Sequence, residues 1–200
     1  IPTLLTLGGT PAEPSCELSV DSLAYLIFTS GSTGIPKCVA TGHAPLPHFV
    51  RWHQEMFGLT ASDRFSMLSG LSHDPLLRDI FTPLSIGASL HIPEQSTLTN
   101  PQVLFRWLEH EAITVCHLTP ALGQVVVAGA EDAQLPELRL MCWGGDVLRR
   151  RFLEKVRHVA PHAQHVNFYG TTETPQAVGF FVVPARLDEC PIPIGRAIAD

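Results

Sequence analysis

The densest chemistry in the chain lies in nine residues, Thr29-Ser30-Gly31-Ser32-Thr33-Gly34-Ile35-Pro36-Lys37. The hydroxyls donate hydrogen bonds, the glycines let backbone N–H groups come close to a phosphate, and Lys37 adds a compact positive charge. The set suits a polyphosphate. It is not a mononucleotide P-loop, which needs four residues between its glycines and a lysine directly after the second. Here two residues separate Gly31 from Gly34, and Lys37 lies three beyond Gly34. A polar turn between strands has the same composition, so the loop alone leaves both readings open. Two other groupings carry less. His158, His162 and His165 fall close together, but Ala160-Pro161 breaks any helix that would align them, which reads as a solvated helix end. Cys116-His117 sits at a strand end and is not arranged as a nucleophile with its base.

These groups need a frame. Short apolar runs at 23–29, 64–68, 88–92, 114–118, 138–143 and 165–169 read as strands. Between them lie helical patterns. Asn100-Pro101 is an N-cap with proline at the first helical position, followed by Val103, Leu104, Trp107 and Leu108 at helical spacing. Residues 146–158 carry Val147, Leu148, Phe152 and Val156 as an apolar stripe. The Pro45–Pro47 patch breaks a helix starting at Gly42, so a helix over 48–57 is expected. The alternation predicts βαβ units and a largely parallel sheet, with chemistry at the carboxyl ends of strands, and the fold expected is α/β with a mixed or parallel sheet flanked by helices.

Apolar residues make up 45% and charged residues 16% of the 200 positions, which excludes a disordered chain. Lys+Arg 13 against Asp+Glu 19 gives a net charge of -6. Nucleic acid and anionic membrane are therefore not expected as partners. Five scattered cysteines, Cys16, Cys38, Cys116, Cys142 and Cys190, contain no C-x-x-C pair. They point to a reduced, cytoplasmic protein without a disulfide framework. No apolar stretch approaches the about 18 residues of a membrane span. Residues 1–22, with Pro2, Pro11, Pro14, Gly8 and Gly9, read as an upstream connecting segment.

Leu23-Ala24-Tyr25-Leu26-Ile27-Phe28 together with the loop to Lys37 resembles the ATP-phosphate loop of the adenylate-forming, AMP-binding enzymes. The opening Leu-Ala-Tyr is most similar to the adenylation domains of nonribosomal peptide synthetases. Asn167-Phe168-Tyr169-Gly170-Thr171-Thr172-Glu173 resembles the family's Asn-x-Tyr-Gly-x-Thr-Glu motif, and Gly144-Gly145-Asp146 its Gly-Gly-Glu turn. Pro193-Ile194-Gly195-Arg196 is similar to the segment that follows. Ile80-Phe81-Thr82-Pro83-Leu84 with Gly87-Ala88 is similar to the helix and strand after the substrate-binding aspartate. The motifs are collinear from Leu23 to Arg196. Three departures stand out: Cys38 where the family usually has Gly, Thr171 where peptide synthetases have Pro, and an unusual substrate motif, Ser72-His73-Asp74-Pro75-Leu76-Leu77-Arg78-Asp79.

The resemblance implies that a carboxylate attacks the α-phosphorus of ATP, giving an acyl-adenylate and pyrophosphate. Positioning and charge neutralisation do most of the work. Thr29, Ser30, Gly31, Ser32, Thr33, Gly34 and Lys37 would hold the β- and γ-phosphates. Thr172 would contact the α-phosphate and Glu173 would bind Mg²⁺. Tyr169 would pack on adenine, with Gly144, Gly145 and Asp146 lining the base and Asn167, Gly170 and Thr171 completing the nucleotide site. Asp74 would pair with a substrate amine, and His73 falls on a gate near the carboxylate. Pro75, Arg78, His117, Cys142, Gly144, Phe168, Gln176 and Ala177 would form the rest of the acid pocket. Arg78 lies four residues after Asp74 and could pair with it on a helix. Alternatively it meets an acidic or polar substrate side chain, helped by His117 and Gln176, since a charged wall is costly to bury alone.

The function so implied is activation of an amino acid for transfer to the phosphopantetheine thiol of a carrier domain. An acyl-CoA ligase and a noncatalytic nucleotide-binding domain remain as alternatives. Residues 23–200 then form a partial AMP-binding domain lacking the family's C-terminal subdomain, and the isolated piece is expected not to adenylate efficiently.

Overall fold

The computed structural model describes residues 18–19, 21–30, 34–187 and 191–198. Gly31, Ser32 and Thr33 of the phosphate loop, Cys16, Cys190 and most of the connecting segment lie outside the described residues.

Strands β1 (Leu23–Thr29) and β2 (Lys37–Gly42) pair antiparallel as a separate hairpin, which sets Thr29 opposite Lys37. The main sheet has seven strands: β3 (Arg64–Ser66), β4 (Ser89–His91), β5 (Val115–Leu118), β6 (Leu140–Trp143), β7 (Gln164–Thr171), β8 (Thr174–Val183) and β9 (Arg196–Ala197). Their order is β4-β3-β5-β6-β7-β8-β9, parallel from β4 to β7 and antiparallel beyond it. The fold is thus α/β with a mixed sheet flanked by helices; the alternating pattern accounts for its parallel part, and the antiparallel β7-β8-β9 edge goes beyond it.

Helices α1 (Pro45–Phe57) and α2 (Pro75–Ile86) cover one face, burying Phe49, Phe57, Phe65, Val115, Leu140, Val166, Phe168 and Phe180. Helices α3 (Pro101–His110), α4 (Pro120–Gly129) and α5 (Arg150–Val159) cover the other, around Leu104, Leu108, Cys116, Met141, Trp143 and Leu153. The two-residue alternation of β5 therefore sends Cys116 and His117 into opposite layers. Caps start and stop these helices where the chain supplies them. Asn100 Oδ1 accepts from Val103 N at 3.2 Å and Thr119 Oγ1 from Leu122 N at 3.2 Å, each followed by proline. Gly58 and Gly87 end α1 and α2 with positive φ. Below the sheet, Arg139 holds Asp63 through Nε at 2.8 Å and Nη2 at 2.6 Å, and also donates to the last carbonyls of α1.

Several boundaries differ from expectation. Helix α1 starts at Pro45, not near His48, because prolines in a first turn lack only N–H groups that have no partner there. Helix α5 starts at Arg150 rather than Asp146, since the Leu148 carbonyl is taken by Ile192 N at 3.0 Å and Arg149 is extended. The outer strand ends at 67–68, 88, 92 and 138–139 are not strand, and β7 runs on to Thr171. Helix α4 and strand β8 were not expected. Among the described residues no helix is long and apolar enough to cross a membrane.

The three clustered histidines do not converge. His158 and His162 are exposed, but His165 is buried, which corrects the solvated reading for that residue. Trp143 Nε1 donates to its Nδ1 at 3.3 Å, and burial, aided by Arg157, lowers its pKa to about 4. Because the folded value lies below the unfolded one, the unfolded chain takes up the proton first. Stability from this site is therefore full above the unfolded pKa and lost as pH falls from 6.5 towards 4. Between pH 7.5 and 5 the loss is about 2 kcal/mol. Urea unfolding of the wild type and His165→Gln across this range is expected to show that difference; identical pH slopes would remove the residue from the account.

Candidate functional site

The carboxyl ends of β3, β5, β6 and β7 open onto one cavity of about 370 Å³. Segment 68–70 after β3, the start of α2, Thr119 and Leu122 of the β5–α4 junction, Gly144 and Gly145 after β6, and the β7–β8 hairpin line it. His73, Asp74, Pro75, Arg78, His117, Gly144, Phe168 and Gln176 of the expected acid pocket all stand on its wall, as do Gly145, Gly170, Thr171 and Thr172 of the expected nucleotide site. Cys142 and Ala177 do not; they are buried in the core behind it, because their side chains pack under the sheet rather than at its end. Asp146 is exposed and accepts from Val147 N at 2.6 Å. Asn167 points to the opposite face, where Nδ2 donates to Pro193 O at 2.9 Å and anchors the segment leading to β9. Tyr169 shares that parity and is 47% exposed.

The hairpin tip carries Thr172 and Glu173 as its two turn residues, between the last residue of β7 and the first of β8. Glu173 is exposed and Thr171 N donates to Thr174 Oγ1 at 2.9 Å, which closes the turn. Gly145 takes φ +81°, the left-handed conformation that makes the Gly144-Gly145 corner possible. Lys37 and Gly34 are exposed at the mouth of the separate hairpin, and Gly34 also has φ +81°.

Three residues from two distant parts of the chain, Asp74 and Arg78 on one side and Gln176 on the other, build the polar centre of the cavity. Gln176 sits within β8 at φ +70°, which a non-glycine residue adopts only when its surroundings hold it. Its N–H donates to Asp74 Oδ2 at 3.1 Å, its carbonyl accepts from Arg78 Nη1 at 3.0 Å, and its Nε2 donates to the Asp74 carbonyl at 3.3 Å. Among the described residues no ion pair joins Arg78 to Asp74, so the i,i+4 pairing is not what α2 uses them for. Arg78 instead lies over the rings of Phe168 and Phe49, 5.4 and 5.8 Å from their centroids, with Nε unpartnered. Burial raises the Asp74 carboxyl pKa against the pull of the Gln176 N–H and Arg78. Burial likewise lowers the Arg78 pKa, against Asp79, Cys142 and Asp74.

Behind this centre stands a pair the sequence reading did not assign. Asp79 Oδ1 meets His117 Nδ1 at 2.6 Å, and burial still lowers the imidazole pKa despite that bond. Its signal was available: α2 buries Arg78, Asp79, Thr82 and Pro83, a helical spacing that puts a carboxylate on the core face. His53 of α1 was also missed; its ring lies tilted or edge-on against Phe49, Phe57, Phe168 and His117. His53, His117 and Cys142 bring three ligand-type atoms within 4.8 Å of one another. Arg78 beside them and a thiol whose pKa burial raises both oppose a dication, so the group packs as neutral core. Cys116, on the other face, has its thiol pushed up to about 12 and is no nucleophile.

Taken together, these features define a doubly wound α/β domain whose cavity, walled by Asp74, Arg78, His73 and His117, opens where parallel strands end. More particularly, the chain belongs to the AMP-binding enzyme family, whose model matches residues 5–200. It is 47% identical over 166 residues to an L-2-aminoadipate reductase of Schizosaccharomyces pombe, covering 83% of this chain and 12% of that protein. It is 34% identical over 191 residues to bacitracin synthase 3 of Bacillus licheniformis, covering 92% of this chain and 3% of that protein. Among solved structures, the Vibrio cholerae adenylation domain AlmE in complex with glycyl-adenosine-5'-phosphate is similar at TM-score 0.82 and 30% identity, over 91% of this chain and 34% of that one. The nonribosomal peptide synthetase FmoA3 in its AMPPNP-bound form is similar at TM-score 0.83 and 32% identity, over 90% of this chain and 19% of that one. The chain thus spans a small part of the relatives it matches.

Proposed function

We propose that this domain activates an amino dicarboxylic acid of the size of L-2-aminoadipate. One substrate carboxylate attacks the α-phosphorus of ATP, the new O–P bond forms, and the bond to pyrophosphate breaks. The acyl group then passes to the phosphopantetheine thiol of a carrier domain, with AMP leaving, in the cytoplasm. The observation that carries this reading is Asp74 and Arg78, buried on one cavity wall, opposite in charge and, among the described residues, not joined as an ion pair. An acid with a second carboxylate and an amine gives each of them a partner, whichever of its carboxylates reacts. The names of the reductase relatives supply the same chemistry.

Thr29, Ser30, Gly34 and Lys37 with the loop between them would hold the outgoing phosphates, and Thr172 would meet the α-phosphate from the hairpin tip. Tyr169, Gly144, Gly145, Asp146, Asn167, Gly170 and Thr171 complete the proposed nucleotide side. Glu173, an exposed hard carboxylate beside Thr172, fits Mg²⁺, which when bound would neutralise phosphate charge. His73 and Pro75 bound the mouth of the acid pocket, while Cys142 and Ala177 support it from the core.

The test is ATP–pyrophosphate exchange by the full polypeptide carrying these residues, with L-2-aminoadipate, adipate and L-2-aminohexanoate. The amino diacid is expected to lead by at least tenfold. Preference for adipate would favour an acyl-CoA-ligase-like enzyme for plain acids. ATP binding without exchange on any acid would favour a noncatalytic domain.

A further inference from the structure

We propose that Asp79 is a positioning residue of the acid pocket: it fixes His117 as the Nδ1–H tautomer, so that Nε2 faces the cavity as an acceptor for an N–H of the substrate ammonium. The inference rests on the amino-acid reading above and deepens it.

Asp79 is fully buried and both of its oxygens work as acceptors. Oδ1 takes His117 Nδ1 at 2.6 Å and Oδ2 takes Ser69 N–H at 3.2 Å. An acceptor-only partner at Nδ1 requires the proton there and leaves the lone pair on Nε2. That atom is buried on a residue of the cavity wall and has no partner among the described residues. Such an atom is costly to bury unless a ligand completes it. Arg78 from α2, His53 from α1 and Cys142 from β6 surround the ring, and none of them bonds Nε2. On the same cavity, Gln176 Oε1 is a second buried acceptor without a partner, and Asp74 keeps Oδ1 clear of the Gln176 bond that occupies Oδ2. Three acceptors answer the three N–H donors of a primary ammonium. Arg78 Nε, the unpartnered donor, is left for the carboxylate.

Asp79→Asn tests this with little change in shape. Ser69 N–H needs an acceptor, so the amide must turn its oxygen to Ser69 and its NH₂ to His117 Nδ1. The imidazole then flips to the Nε2–H tautomer and presents a donor where the ammonium needs an acceptor. In the ¹⁵N-histidine-labelled full polypeptide, wild-type His117 is expected as Nδ1–H and the variant as Nε2–H. In exchange assays the variant is expected to raise KM for L-2-aminoadipate at least tenfold with a smaller change in kcat, lowering its preference over adipate by a similar factor. Nε2–H in the wild type would overturn the proposal whether or not the variant folds. A switched tautomer with an unchanged preference would overturn it as well. If the wild type exchanges with neither acid, the functional reading falls, while the wild-type tautomer still decides the role of Asp79.

Discussion

Arg78→Met is expected to lower kcat/KM for exchange with L-2-aminoadipate by about 10²–10³-fold, with L-2-aminohexanoate unchanged or improved. Methionine keeps the bulk against Phe49 and Phe168 and removes the charge that a second substrate carboxylate would meet. A buried charge-assisted hydrogen bond lost on one side leaves the substrate carboxylate desolvated and unpaired, which is worth about 3–4 kcal/mol in the transition-state complex. Lysine should rescue poorly, because a point charge cannot reach both the Gln176 carbonyl and a carboxylate through one planar fork. Part of the loss can come through Gln176, whose left-handed backbone loses the donor on its carbonyl. The ratio of the two acids separates these effects. Equal losses on both would mean that Arg78 supports the wall and does not read the substrate.

Gly129→Ala is expected to destabilise the fold by more than about 3 kcal/mol, against the sign of helix propensity. Propensity alone favours alanine over glycine in a helix by about 1 kcal/mol. Gly129 is the last residue of α4, and a Cβ there would stand 2.0 Å from the Pro101 carbonyl oxygen and 2.4 Å from its carbon. These are backbone atoms at the start of α3, fixed by the Asn100 cap, so neither can swing aside. The helices would have to separate, opening the Leu104 and Val126 layer of the core. A melting temperature lowered by about 10 °C would follow. Gln124→Ala, on the exposed side of the same helix, should change little. A Gly129→Ala protein as stable as the wild type would refute this packing.

The parallel strands were legible because buried strands read as unbroken apolar runs, and α3 because its cap and proline precede a clear stripe. Helix α4 was not. Thr119-Pro120 caps it as Asn100-Pro101 caps α3, but its Gly123, Val125, Val126, Val127 and Gly129 are small or β-branched and give no polar face to mark a stripe; the glycines let Trp143, Phe152 and the start of α3 come close. Strand β8 hid for a different reason. Pro175, Gln176 and Gly179 interrupt any alternation, and the long antiparallel pairing with β7 overrides them. In the site, motif residues could be named from local strings, but which of them face one cavity depends on parity at strand ends. That parity turns Asn167 away and brings Phe168 in. The missing i,i+4 pair had the same origin: Asp74, the N-cap of α2, and Arg78 within it both find their partners on β8, a relation no local window contains.

The bonds between Asp74 and Gln176 close a loop of 102 residues, and this bears on synthesis. A ribosome adding about 5–20 residues per second leaves roughly 5–20 s between the two residues. Throughout that interval α2 carries an acid and a guanidinium meant for burial, with neither final partner yet made. The β5-β6 pairing, closer in sequence, can form meanwhile, whereas β7 ends at Thr171 just ahead of Gln176. The acid pocket therefore cannot close until β8 is made, and slow translation between α2 and β8 would leave a nascent chain with an open, hydrated α2 for chaperones to hold.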